Sequence, residues 1–321
     1  MSFNSSGLNA NNVLTGFAIR YALDRNDLIA DKVFKPMPVT EDTGRYTTFG
    51  RDNLRAEDDS MGPKGIAKEV TSTANLDGTF NIKDYGLKEF LAEKQLRLTP
   101  KGNRQMVINQ VVQGVMDRVL IQKEKRAAAA LFNGTTFSGF TAALSAGDRF
   151  NNPASDPYEI IQSYVDSVTL YTPTRNLKLI MGHAVYSAMR SNANLIARTR
   201  NDALRILDKK TLLSLFEDMG VDDILVGSAS ENTSDEGQTT QTNARIWGKG
   251  LVIGYIPNVQ STVDASLTLA KQFVSDEKAL YKQFVFKDTP EANGNYYKTE
   301  ASYDLKVVAV PAGYYLSTVV D

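Results

Sequence analysis

Nucleophilic and metal chemistry in proteins draws mostly on cysteine, histidine and paired carboxylates. This chain of 321 residues has no cysteine and one histidine. The missing thiols exclude disulfides, thiolate nucleophiles, zinc–thiolate sites and iron–sulfur clusters in one step. A Ser-His-Asp triad or a multi-histidine metal site would have to run through His183. That residue stands in LIMGHAVYSAM, between a strand-like and a helix-like run, and reads as a helix-start or core-edge histidine. Glu57, Asp58 and Asp59 form a tight carboxylate group, but they lack the spacing of a dedicated calcium loop and read as a solvated tip. GKGLVIG (248–254) lacks the Gly-x-Gly-x-x-Gly spacing followed by a helix, and there is no Walker loop. Trp247 and the tyrosines of YYKTEASYDLK read as core and interface packing rather than a stacking platform for bases. Carboxylate-only catalysis stays open, with no pair nominated. No cofactor and no metal is expected.

The elements around these residues have ordinary globular chemistry. Hydrophobic residues make up 42% and charged residues 23%, enough to bury a sizeable core. The length points to one large elaborated fold or two lobes. The cysteine-free composition fits assembly in a reducing cytoplasm. MSFNSSGLNANNVLTG has neither the basic region nor the apolar run of a secretory signal. No stretch approaches the ~20 apolar residues of a membrane span. The sequons at Asn4, Asn133 and Asn232 are then accidental. A formal net charge of -1 argues against a dedicated nucleic-acid binder. The charge is nonetheless blocked: +4 over Lys101–Arg126, +6 over Arg175–Lys210 and -7 over Thr211–Asn243. Such blocks suggest faces with different neighbours, against the simpler reading of solvated charge.

Periodicity places the elements. FAIRYALDRNDLIADKVF, after a polar start, has the spacing of a short helix or an extended arm. RYTTFG (45–50), IAKEVTSTANL (66–76) and TFNIKDYG (79–86) are strand-like. They surround a charged, glycine-containing tip, RDNLRAEDDSMGPKG, and Asp77-Gly78 reads as a turn. The pattern predicts a projecting β-hairpin. RQMVINQVVQGVMDRVLIQKEKRAAAALF (104–132) is the clearest helix, with Ile108, Val112, Val115 and Val119 on one stripe and Asn133-Gly134 as its stop. At ~1.5 Å per residue it would run roughly 40 Å. DPYEIIQSYVDSV opens a helix with Asp156 as cap and Pro157 at its first position. LKLIMG (177–182) and DDILVG (222–227) are buried strands, and 184–199 and 212–220 are helical. Residues 228–243 read as a mobile polar loop, 244–257 as a strand pair about Gly248–Gly250, and 295–320 as long strands.

The order of these pieces, FNIKDYGLKEFL before a helix ending EKRAAAALF, then LKLIMGHAVYSAMRSNANLIARTR, LLSLFEDMGVDDILVGSA, IWGKGLVIGYIP and YYKTEASYDLKVVAVPAGYYLSTVV, resembles the Hong Kong 97-type major capsid fold of tailed phages. The resemblance covers most of residues 30–320 and rests on architecture rather than on a single motif. It implies an α+β chain with an N-terminal arm (1–35) and an extended β-hairpin loop (36–86). A peripheral domain (87–155) would carry the spine helix 104–132. An axial domain (156–290) would follow, then C-terminal strands (291–321) returning to the peripheral domain.

By the same resemblance the chain would build hexamers and pentamers of an icosahedral head around double-stranded DNA, in the virion, after assembly in the bacterial cytoplasm. A separate scaffolding protein, a portal and decoration proteins would be its partners, and no membrane is implied. Candidate inter-subunit contacts are Phe17, Tyr21, Arg51, Arg55, Asp58, Asp59 and Lys64. The lysine is also a candidate for cross-linking to a neighbour, by location. The basic residues Arg118, Lys123 and Arg126 would face DNA phosphates through non-specific screening. An encapsulin-like nanocompartment shell, another virion structural protein and an enzyme are the alternatives.

Overall fold

The computed structural model describes residues 11–25, 27–48, 59–61, 65, 75–199, 206–234, 237, 239–257, 267–276, 280–287 and 293–321. Its helices are α1 (Asn12–Asp24), α2 (Ala30–Val33), α3 (Glu93–Leu98), α4 (Arg104–Leu131), α5 (Pro157–Thr169), α6 (His183–Ser191), α7 (Ala193–Arg198) and α8 (Lys209–Phe216). Its strands are β1 (Lys35–Val39), β2 (Thr43–Thr48), β3 (Asn75–Asn81), β4 (Lys83–Ala92), β5 (Thr141–Ala143), β6 (Leu177–Gly182) and β7 (Val221–Gly227). They continue as β8 (Ser230–Asn232), β9 (Asn243–Arg245), β10 (Leu251–Tyr255), β11 (Ala270–Ser275), β12 (Tyr281–Phe286), β13 (Gly294–Val307) and β14 (Gly313–Ser317).

Two five-stranded sheets organise the chain. In one, β13 pairs with β4 along one side and with β11 and β12 in succession along the other, while β1 lies parallel to β11. The 28-residue α4 crosses this sheet and buries Val112, Met116, Val119 and Leu120 towards it. The other sheet has the order β5-β14-β10-β6-β7. LKLIMG is buried along its whole length because both faces of that sheet are covered. Leu177, Leu179 and Met181 turn to a core shared with α5, α6, α7 and α8, whereas Ile180 turns to a core shared with α2 and the end of α4. That second core, containing Trp247, Phe34 and Leu131, joins the two sheets.

Local chemistry explains several boundaries. Asn11 caps α1 by accepting from the Leu14 N–H at 3.1 Å, and Asp156 caps α5 through the Tyr158 N–H at 3.1 Å. The stretch 184–199, expected as continuous helix, breaks at Asn192. The Asn192 side-chain oxygen accepts from the N–H groups of Asn194 and Leu195, starting α7, and its amide donates to the carbonyls of Phe150 and Ser155. A buried asparagine with all these partners outweighs one more turn of helix.

Other sequence expectations change on folding. Asp77-Gly78 is not a turn; Gly78 sits inside β3 opposite Tyr46. The hairpin formed by β2 and β3 spans Thr43–Asn81, and β1, within the expected 36–86 loop, instead joins the main sheet. The polar stretch 228–243 contains β8, which pairs with β9 at its far end. The two strands within 244–257 do not pair with each other: β9 pairs with β8, and β10 lies between β14 and β6.

Candidate functional site

The apolar stripe of α4 continues into two charges. After Val112, Val115, Met116, Val119 and Leu120 come Lys123 and Glu124, then Ala127, Ala128 and Leu131, all buried. Lys123 is only 1% exposed. Its ammonium pairs with the Asp31 carboxylate and donates to the Tyr281 hydroxyl at 3.1 Å, with the Tyr281 and Tyr303 ring centroids 5.3 and 5.1 Å away. Glu124 accepts from the Ala30 N–H through Oε1 and from the Trp247 indole N–H through Oε2, each at 2.7 Å. One carboxyl thus ties α2 and the Trp247 segment to the long helix. Burial pushes the Glu124 carboxyl up to about 7, against the opposing pull of the N–H groups that bond it. Burial likewise pushes Lys123 down and Tyr281 well up.

The segment that carries α1 is tied to the long helix at a second point. Tyr21 donates to the Asp117 carboxylate at 3.0 Å, and Arg25 bridges Asp117 and Asp27. Its Asp27 partner raises the Arg25 guanidinium and is itself held below the usual carboxylate range.

The hairpin is anchored by an exchange of aromatic and glycine across its ladder. Tyr46 faces Gly78 and Phe80 faces Gly44. A Cβ at Gly78 would lie 2.2 Å from the Tyr46 ring, and one at Gly44 would lie 2.7 Å from the Phe80 ring. Each ring therefore lies across its bare partner, and both stack on Phe273 of β11, with centroids 5.3 and 4.5 Å away. Asp304 of β13 adds a hydrogen bond from the Asn81 N–H at 2.9 Å.

The residues singled out in the sequence divide as follows. Arg51, Arg55, Asp58 and Lys64 lie outside the described residues, and Asp59 is exposed. Phe17 is partly buried against Leu14, Leu91, Val112 and Tyr297 of its own chain, and Tyr21 is held by Asp117. Lys123 corrects the expectation of a DNA-facing row, because an ammonium buried against Asp31 and Tyr281 has no surface to offer a phosphate. Arg126 is half-buried, donating to the Tyr303 hydroxyl at 2.9 Å with its guanidinium 3.7 Å from the Tyr85 ring centroid. Arg118 is 70% exposed and lies 3.8 Å from Glu89. His183 is the exposed first residue of α6, and Trp247 is buried. Sequence reasoning missed Asp31, Glu124, Gly44 and Gly78. Of these only Glu124 had a detectable signal, since Lys123 and Glu124 continue the helical spacing that marks the buried face of α4.

No family model matches the chain. It is 23% identical over 257 residues to a protein named major capsid protein from Burkholderia phage BcepMu, covering 76% of each chain. It is 25% identical over 237 residues to a protein of the same name from Pseudomonas phage JBD67, covering 73% of each. Among solved structures, a phage-related protein from Bordetella bronchiseptica RB50 superposes with a TM-score of 0.77 at 17% identity, covering 98% of both chains.

Proposed function

We infer that this chain is the major capsid protein of a tailed bacteriophage, a structural subunit that associates with copies of itself to form a shell. The observation that carries this reading is the agreement of two phage relatives, each matched over about three quarters of its length and each named major capsid protein. The whole-chain fold likeness to a phage-related protein stands beside it. The architecture suits the role: a hairpin rooted by stacked rings on Phe273, one 28-residue helix and two sheets joined through a buried core.

In finer detail, the chain maps onto a Hong Kong 97-type plan. Residues 1–35 are its arm, the β2–β3 hairpin is the root of its extended loop, and α4 is its spine helix. The sheet built on β13 is its peripheral domain, and the sheet built on β10 and β6 its axial domain. Subunits form hexamers and pentamers of an icosahedral head in the virion. A scaffolding protein, a portal and decoration proteins complete the particle, and DNA inside it meets the shell through non-specific contacts. Of the three basic residues considered for that contact, Arg118 alone keeps an exposed charge.

Electron microscopy of the purified protein, alone and with its neighbouring gene products, tests this reading. Closed shells or rings with six-fold and five-fold symmetry are the expected result. A monomer that never assembles, even with candidate scaffold present, would overturn it. Particles that close around a cargo enzyme and never take a portal would point to an encapsulin-like compartment instead.

A further inference from the structure

The Asn133-Gly134 step that ends α4 has one counterpart in the chain, Asn293-Gly294 at the start of β13. Asparagine is a thermally labile residue, most of all before glycine, which has no Cβ to keep its nitrogen from the preceding side-chain carbonyl. The fold holds the two steps differently. Asn133 and Gly134 are both exposed. The Asn133 Oδ1 accepts from the Thr135 N–H at 3.0 Å, which lays the side-chain amide over the intervening Gly134 nitrogen. The Gly134 N–H has no acceptor among the described residues, so its proton is open to water. The Asn133 carbonyl accepts the longer bonds of Thr136 and Phe137, at 3.1 and 3.3 Å. Gly294 is instead buried, with the Leu91 carbonyl oxygen and the Phe90 ring 2.4 and 2.6 Å from where its Cβ would be. The Asn293 carbonyl accepts from the Glu93 N–H at 2.8 Å, so that peptide is held against β4 and α3.

We propose that Asn133 is a self-reacting modification site, converted by water to aspartate and isoaspartate in the folded protein while Asn293 keeps its amide. The Gly134 nitrogen gives up its proton and bonds to the Asn133 Cγ. The Cγ–Nδ2 bond breaks, and ammonia leaves with that proton. A five-membered cyclic imide remains. Water adds to one of its two carbonyls and opens the ring. Opening on one side restores the backbone and leaves aspartate. Opening on the other runs the chain through Cβ and Cγ and leaves isoaspartate. In sum, one amide and one water give one carboxylate and one ammonium, with nothing oxidised or reduced.

Either product changes the joint between α4 and the sheet built on β10 and β6. A negative charge appears past the C-terminus of α4, where carbonyl oxygens already face outward and the last turn carries no basic residue to offset it. Isoaspartate also lengthens the backbone by one carbon just before Phe137, which is buried in the core that joins the two sheets. Beyond it the Phe140 carbonyl receives the Tyr315 N–H of β14 at 2.9 Å. Under the shell reading, subunits are not replaced once a particle has closed, so the change accumulates with the age of the particle. The reaction itself does not depend on that reading.

Purified protein held at mildly alkaline pH in heavy-oxygen water tests the proposal, read by peptide mass spectrometry. In the folded protein residue 133 should take up a heavy oxygen, as both aspartate and isoaspartate, several-fold faster than residue 293. In denaturant the two sites should convert at similar rates, which identifies the fold as the source of the difference. Gly134→Ala should suppress conversion at 133 and start from the wild-type melting temperature, because its Cβ would meet only Thr141, at 3.8 Å. On ageing, the melting temperature should fall in wild type and hold in Gly134→Ala. If Gly134→Ala does not fold, Asn133→Gln gives the same readout, since closing a ring with one more carbon is far slower. A residue 133 that keeps its amide in the folded protein, or converts no faster than residue 293, would overturn the inference and leave the shell reading intact. A converted protein that melts as the fresh one does would overturn its effect on the joint.

Discussion

The indole N–H of Trp247 donates to the Glu124 carboxylate at 2.7 Å inside the protein, and the other oxygen of that carboxylate holds the backbone of Ala30. Residues 123 positions apart are thereby fixed to each other and to the start of α2. A group with this much burial and a carboxyl shifted towards neutrality makes the stability of the fold depend on pH.

The Glu124 carboxyl is raised from 4.5 to about 7, so between these values the folded chain binds more protons than the unfolded chain. Its contribution to stability is therefore fully present below pH 4.5 and is lost as pH rises through about 7. Lys123, pushed down by burial, acts in the opposite sense on the alkaline side. Thermal melts of wild type and Glu124→Gln across this range isolate the carboxyl. The wild-type melting temperature should fall between pH 5 and 8 relative to the variant, and parallel curves would show that Glu124 does not titrate there.

Lys123 and Asp31 should respond unequally to replacement. Asp31→Ala leaves a buried ammonium whose hydrogen-bond acceptor among the described residues is the Tyr281 hydroxyl, whereas Lys123→Met removes the charge together with its desolvation cost. Breaking a buried pair from one side costs roughly 3–5 kcal/mol, whereas replacing both charges by apolar groups can be neutral. The Asp31 loss should fall below that range, because its carboxylate is 49% exposed. Denaturant titration should rank Asp31→Ala as the less stable variant, and the reverse order would contradict the burial argument.

Two glycines should behave in opposite ways when changed to alanine. Gly114 in α4 has open space around its Cβ position, so Gly114→Ala should stabilise by about 0.5–1 kcal/mol through helix propensity. At Gly78 the new methyl meets the Tyr46 ring, so Gly78→Ala should displace that ring from Phe273 and cost roughly 1–3 kcal/mol. Hydrogen exchange within 43–48 and 75–81 should rise in Gly78→Ala alone.

Asn192→Ala should cost roughly 1–3 kcal/mol, because it removes a helix cap and leaves the carbonyls of Phe150 and Ser155 without that donor. Asn192→Asp separates the two roles: the cap survives and the donated bonds do not. Chemical denaturation should place Asn192→Asp between wild type and Asn192→Ala.

Elements with their own periodicity were legible in the sequence. The long helix was expected over 104–132 and spans Arg104–Leu131, and LKLIMG was expected as a buried strand and is one. Relationships between distant segments were not legible. Nothing in Asp77-Gly78 distinguishes a turn from a strand that must lie bare beneath Tyr46, because the deciding residue lies 32 positions earlier on the partner strand. Residue type alone puts Lys123 at the surface, facing phosphates, and its burial contradicts that. Its place on the apolar stripe was the better guide, since burial follows the face of the helix and the charge then finds a partner or shifts its proton affinity.

The order of strands also governs when the chain can fold during its synthesis. β14 lies between β10 and β5, β13 is the partner of β4, β11 and β12, and Val319 lies in the core beyond them. A nascent chain that has emerged only to residue 290 holds α1 to α8 yet can complete neither large sheet. Closure waits for the last strands to leave the ribosome. A polypeptide released early by a nonsense codon or a stalled ribosome would leave β4 and β10 each short of a partner strand. Such fragments would expose their unpaired strands to chaperones and proteases instead of entering an assembly. The position of the final strands therefore makes folding itself a check that translation has run past residue 317.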